Sequence, residues 1–146
     1  MTHSTFAATG GPDVPGTIAG LDAYVPGRCN IGAAEIASRR RTGHVGTAVT
    51  VGLLVALVAL GAPPLARLLI ALPAAIAASG YLQARLRFCA AYGSLGVYNV
   101  EEALGQTAHV DDADARRRDQ ARALQISLAS GLIGLVVAVA AVLLPV

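Results

Sequence analysis

The last 23 residues, Leu124 to Val146, carry no ionisable side chain. A helix rises about 1.5 Å per residue and a bilayer's hydrocarbon core is about 30 Å thick, so a run of this kind has the length and the composition of a membrane span. Two further runs share the property. Val45 to Ala62, VGTAVTVGLLVALVALGA, has 18 uncharged residues, roughly 27 Å of helix. Leu65 to Ala84 follows at once, carrying only Arg67. Ala62-Pro63-Pro64 must separate the two, because successive prolines cannot continue helical hydrogen bonding. So short a connection makes them antiparallel neighbours. Pro73 is expected to bend the second of them.

The expected fold is therefore all-α and integral to a membrane: a transmembrane hairpin (spans about 45–62 and 65–84), then a third transmembrane helix over 124–146. Composition agrees, with 55% hydrophobic residues and only 14% charged, against about 25% charged in ordinary soluble domains.

Residues 1–27, rich in Gly, Pro, Thr and Ala, read as a flexible cytoplasmic tail without signal-peptide features. Pro26-Gly27 makes a turn, and Asn30 is an expected N-cap for a short interfacial helix ending in Arg39, Arg40 and Arg41. That helix and the hairpin form a unit over 28–98, closing with FCAAYGSLGVYN (88–99), which suits an interfacial or re-entrant turn. Residues 99–123 read as a charged cytoplasmic connector, whose DADARRRDQARALQ stretch should lead without a break into the third span.

Every basic side chain is Arg, and their placement sets the orientation. Arg28 and Arg39 to Arg41 precede the first span; Arg85 and Arg87 follow the second; Arg116, Arg117, Arg118 and Arg122 precede the third. A three-span path puts all of these on one face, which the bias of basic residues toward cytoplasmic loops marks as the inside. The N-terminus is then cytoplasmic, the C-terminus outside, and Arg67 near the outer turn snorkels to the interface. The clustered arginines are expected to anchor the chain at anionic headgroups, at about 1 kcal/mol each. A net charge of +2 is too small to point to nucleic acid.

The hairpin also returns Cys89 to the side where Cys29 starts, so two thiols 60 residues apart should lie near the same membrane face. Arg28 and a helix N-terminus beside Cys29, with Arg85 and Arg87 near Cys89, favour thiolate. Three readings stay open for the pair: small apolar packing groups, a site of thiol exchange or sulfur handling, or a metal site completed by His44 or the connector. His44, where the first span enters the membrane, is either solvated there or a haem or metal ligand.

The spans lack charged groups at mid-depth, which proton relays and ion-coupled carriers place there. No nucleophile–base triad, zincin motif or phosphate loop occurs, so neither an enzyme nor a resident cofactor is expected. Small residues recur instead at helical spacing: Gly52 with Ala56, Ser127 with Gly131, Ser130 with Gly134. Such ridges let helices approach closely in lipid, and part of that surface must close the three-helix bundle.

Asn30-Ile31-Gly32, Arg39 to Arg41, Ser79-Gly80, Leu82, Phe88-Cys89, Tyr92 and Gly96 together resemble the small two-helix inner-membrane domain found alone or fused to rhodanese domains, over about residues 30–97. That resemblance implies cytoplasmic sulfur chemistry near the membrane, bearing on Cys89 and requiring a partner. The expected role is a non-catalytic accessory or structural subunit of a larger inner-membrane complex or homo-oligomer in a bacterium. The alternative is a membrane thiol module that transfers sulfur or relays redox equivalents through Cys29 and Cys89.

Overall fold

The computed structural model describes residues 23–101 and 103–145. Most of the expected tail, residues 1–22, lies outside the described residues, as do Glu102 and Val146. The architecture is all-α with one very small sheet. Helix α1 spans Ala33–Ala59, a 3₁₀ segment Pro64–Ile70 leads into α2, Ala71–Leu86, and α3 is the short Ala90–Leu95. Strands β1, Val97–Tyr98, and β2, Ala108–His109, pair antiparallel with Val97 opposite His109. The long helix α4, Ala113–Leu143, completes the chain. Three helical stretches, Ala33–Ala59, Pro64–Leu86 and Ala113–Leu143, are long and apolar enough to cross a membrane.

α2 is the central rod, with α1 packed along one side and α4 along another. Small residues set how close these rods come. A Cβ on Gly46 would lie 2.8 Å from the Ala77 nitrogen, and one on Gly134 would lie 2.5 Å from the Ala71 carbonyl oxygen. At the end carrying the Pro63-Pro64 turn, Ile70, Ala138 and Ala141 form one core cluster, with Leu53, Leu54 and Leu57 of α1 around it. At the arginine-rich end, Phe88, Ala123 and Ile126 form another.

Several expectations are corrected here. Residues 31–41 do not form a separate interfacial helix: the arginine triplet lies inside α1, which runs unbroken through 27 residues. Gly43, just after the triplet, is clamped by the Tyr81 ring, 2.8 Å from where a Cβ would sit, and packing on α2 keeps the helix continuous there. Asn30 does not cap α1. Gly32 occupies that position in extended conformation with no side-chain cap, and the Asn30 amide is engaged elsewhere. Pro73 falls in the first turn of α2, just after the 3₁₀ segment. There its missing N–H falls where the winding changes from 3₁₀ to α.

Residues 88–99 form α3 and β1, and the connector folds back as β2. Both belong to one cap, in which residues 103–109 of the connector stay exposed. Residues 23–27, the end of the expected tail, join that cap through Tyr24 and Gly27. The expected continuity into the third span holds. α4 starts at Asp112, whose Oδ1 accepts from the Asp114 N–H at 2.7 Å and the Ala115 N–H at 3.4 Å, the geometry of an N-cap.

Arg67 does not snorkel outward. It is 3% exposed, and its Nη1 donates to the carbonyls of Ala141 at 3.0 Å and Leu144 at 2.9 Å. A guanidinium from the hairpin turn thus caps the end of α4, where helix carbonyls lack partners and the dipole favours a cation.

Candidate functional site

The polar chemistry of the described residues gathers in the cap at the arginine-rich end, where three buried side chains organise the backbone. Asn30 comes first. Its main chain donates to the Arg87 carbonyl at 3.1 Å and accepts from the Asn99 N–H at 2.9 Å, while Gly32 N–H donates to the Asn99 carbonyl at 2.8 Å. Its side chain turns toward Cys89: Nδ2 donates to the Cys89 carbonyl at 3.0 Å, and Oδ1 accepts the Cys89 N–H at 2.6 Å. One amide imitates a strand partner. The segment 30–32 is threaded between residues 87–89 on one side and Asn99 on the other.

Glu35 is the second anchor, 4% exposed on the first turn of α1. Its Oε1 accepts from the Tyr92 hydroxyl at 2.8 Å and the Gly105 N–H at 3.1 Å, with Asn99 Nδ2 at 3.4 Å. Its Oε2 lies 3.6 Å from Arg39 Nη2. Burial, and then the bond to Glu35, push the Tyr92 phenol up to about 12. Asp119 on α4 is the third, fully buried, accepting from the Tyr24 hydroxyl at 2.8 Å and the Gly27 N–H at 2.6 Å. Tyr24 stacks on Tyr98 at 4.4 Å. Burial and the Asp119 contact raise its phenol well above the ordinary tyrosine range. Buried polar groups are costly unless bonded, and these three spend their acceptor capacity on holding the cap together.

The expected convergence of the two cysteine segments is present, since the residue after Cys29 grips the main chain of Cys89. The thiols themselves differ. Cys89 is fully buried as the N-cap of α3, while Cys29 is half-buried with its sulfur 3.8 Å from the Ile31 carbonyl oxygen. No disulfide joins them. A fully buried thiol packs as a small apolar group. His44 meets the Tyr81 hydroxyl at 2.9 Å through Nδ1, and among the described residues no three His, Cys, Asp or Glu side chains converge.

The arginines divide by neighbourhood. Arg39 pairs with Glu35. Arg40, Arg85 and Arg87 border a cleft of about 690 Å³ between α1 and α2, and Arg41 borders a smaller one of about 400 Å³ on the opposite side of the hairpin. Arg116, Arg117 and Arg118 are exposed on the first turns of α4, with Arg117 3.9 Å from Asp114. Arg87 also closes α2 in left-handed conformation, φ 52°, a place usually held by glycine.

The small residues divide too, and this corrects part of the packing expectation. Ser130 and Gly134 are buried against the rest of the chain. Gly52, Ala56, Ser127 and Gly131 are exposed, and a Cβ on Gly52 or Gly131 would meet nothing within 4 Å. The reason is the central position of α2, which turns those faces of α1 and α4 outward.

The sequence points to Asn30 only as a helix cap and gives no local sign that Glu35, Asn99 or Asp119 organises the fold. Asp119 sits in RRRDQ and looks solvated there. Only the return of the chain over distances such as Glu35 to Gly105 makes these residues neighbours. Compared with protein-family models, curated proteins and solved structures, the chain finds no match in any of the three.

Proposed function

We propose that this chain is a multi-pass protein of the bacterial inner membrane, with the arginine-rich cap cytoplasmic, that acts without catalysis of its own as an accessory or structural subunit. It packs against the transmembrane helices of a larger complex or against further copies of itself. One observation carries the reading: Gly52 with Ala56 on α1, and Ser127 with Gly131 on α4, point away from the chain's own bundle into open space. Small residues let helices approach closely in lipid, where close packing drives association. The cap supports the reading in a second way, because its carboxylates are occupied in bracing the fold. The residues that resemble the two-helix inner-membrane domain, among them Asn30, Gly80, Phe88, Cys89 and Tyr92, lie in the hairpin and this cap, which supports treating the two as one unit.

The test is assembly size. Extracted in mild detergent, the wild-type chain should run in a species well above its own 14.7 kDa. Replacing Gly52 and Gly131 together by Leu should release the 14.7 kDa chain with its helix content unchanged. A wild-type chain that stays monomeric both in mild detergent and in lipid nanodiscs rules the reading out.

A further inference from the structure

Two clefts lie along one face of the hairpin and meet at one side chain. The first, about 690 Å³, is bordered by Ala33, Ala37 and Arg40 of α1 and by Ala84 and Arg85 of α2, with Arg87 just beyond. The second, about 340 Å³, is bordered by Thr50 and Val51 of α1, Ala74 and Ala78 of α2, and Ile133 and Val137 of α4. Tyr81 borders both. The spacing shows that they follow a single groove. On α1, residues 33, 37, 40, 44, 47 and 51 recur at steps of three and four; on α2, residues 74, 78, 81 and 85 do the same, so each set is one stripe of its helix. At the waist the Tyr81 hydroxyl meets His44 Nδ1 at 2.9 Å and accepts from Thr47 Oγ1 at 3.3 Å.

The groove changes character along its length. On the cap side of Tyr81 its borders carry three arginines and no carboxylate. On the other side the borders are Thr, Val, Ala and Ile, within the apolar runs. From Ala33 to Val51 the stripe covers roughly 27 Å of helix, while one leaflet of a bilayer, headgroups included, is about 20 Å thick. Cations at headgroup depth followed by an apolar trough at acyl depth are what one amphipathic anion requires.

We propose that this groove holds one anionic diacyl phospholipid. Its phosphate lies against the Arg40 and Arg85 guanidiniums, and one acyl chain lies in the trough between α1, α2 and α4. Guanidinium groups match phosphate oxygens in fork geometry. The leaflet facing the cytoplasm is the one rich in such lipids, in keeping with the orientation set by the arginines. The lipid would fill the space that α1 and α4 leave above the central α2.

Native mass spectrometry of the full chain, delipidated in detergent and then offered defined lipids, tests this. The probes are phosphatidylglycerol, phosphatidylcholine with the same acyl chains, and inorganic phosphate. One phosphatidylglycerol per chain should be retained, at least tenfold more tightly than phosphatidylcholine. The double variant R40Q/R85Q should lose that retention tenfold or more, whereas R116Q/R117Q, which removes equal charge from α4, should stay within twofold of wild type. Ala37→Trp fills the cleft with all arginines intact and should also abolish retention. Equal loss in the two charge variants would reduce the effect to diffuse attraction and overturn the proposal. So would full retention in Ala37→Trp, displacement of the lipid by inorganic phosphate, or equal affinity for phosphatidylcholine. The readout is lipid per chain, so it succeeds or fails independently of assembly size.

Discussion

The side-chain amide of Asn30 holds both main-chain groups of Cys89, accepting its N–H at 2.6 Å and donating to its carbonyl at 3.0 Å across 59 residues of sequence. This clasp closes the cap over the hairpin, and Cys89 beneath it is fully buried. Replacing Asn30 by Ala strands both groups, at a cost of about 1–3 kcal/mol. In a Cys29→Ser background, maleimide labelling of Cys89 reports each opening of the cap. Asn30→Ala should speed that labelling by roughly 5- to 150-fold, given a factor of ten per 1.36 kcal/mol. An unchanged rate would show that the clasp does not hold the cap shut.

Glu35 ties the 99–105 loop to α1 through Gly105 N–H and Asn99. Glu35→Ala should loosen that loop first. Amide hydrogen exchange at Gly105 is expected to accelerate at least tenfold, while amides in the middle of α4 keep their protection. Equal acceleration in both places would mean that the carboxylate supports the whole fold and not the loop.

The Tyr92 phenol gives the cap an alkaline limit. Its value in the folded chain is raised from 10.0 to about 12, so folding favours the protonated form. The associated stability is complete below pH 10 and is lost as pH climbs toward 12. Burial and the Asp119 contact push Tyr24 in the same direction. Tyrosinate absorbance should therefore show delayed titration that Tyr92→Phe removes in part, and Cys89 labelling should accelerate over the same pH range less in Tyr92→Phe than in the wild type.

Arg67 joins the hairpin turn to the carbonyls of Ala141 and Leu144. Arg67→Ala should let the last turn of α4 fray, with faster exchange over 141–144 and a stability loss of about 1–3 kcal/mol. Arg67→Lys keeps the charge near the helix end without the forked donor, and should fall between Ala and wild type. Identical exchange in all three proteins would remove the capping role.

Glycines at similar sequence spacing should behave differently. A Cβ on Gly80 would lie 2.5 Å from the Gly43 nitrogen and 2.7 Å from the Arg39 carbonyl oxygen, backbone atoms that cannot turn aside. Gly80→Ala should force α1 and α2 apart at about 1–3 kcal/mol, the usual cost of overpacking. Gly52→Ala meets open space and should change stability by less than about 0.5 kcal/mol. Thermal unfolding in detergent micelles separates the two.

Much of the fold could be read from the order of residues alone, because it depends on local composition. Three apolar runs, a Pro-Pro stop and lopsided arginines suffice to place three long apolar helices, an antiparallel hairpin and a basic end, and to bring Cys29 and Cys89 to that end. Hydropathy is a sum over neighbours in sequence, so no tertiary knowledge is needed. Which polar residues are buried, by contrast, is decided by the return of the chain. Glu35 and Asp119 look solvated in their own segments, Asn30 reads as a helix cap and Arg67 as an interfacial cation. Each becomes an internal anchor only when a backbone group tens of residues away arrives at hydrogen-bonding distance. The same holds for the small residues: Gly134 and Gly131 are indistinguishable by spacing, and only the central position of α2 turns one inward and leaves the other facing out.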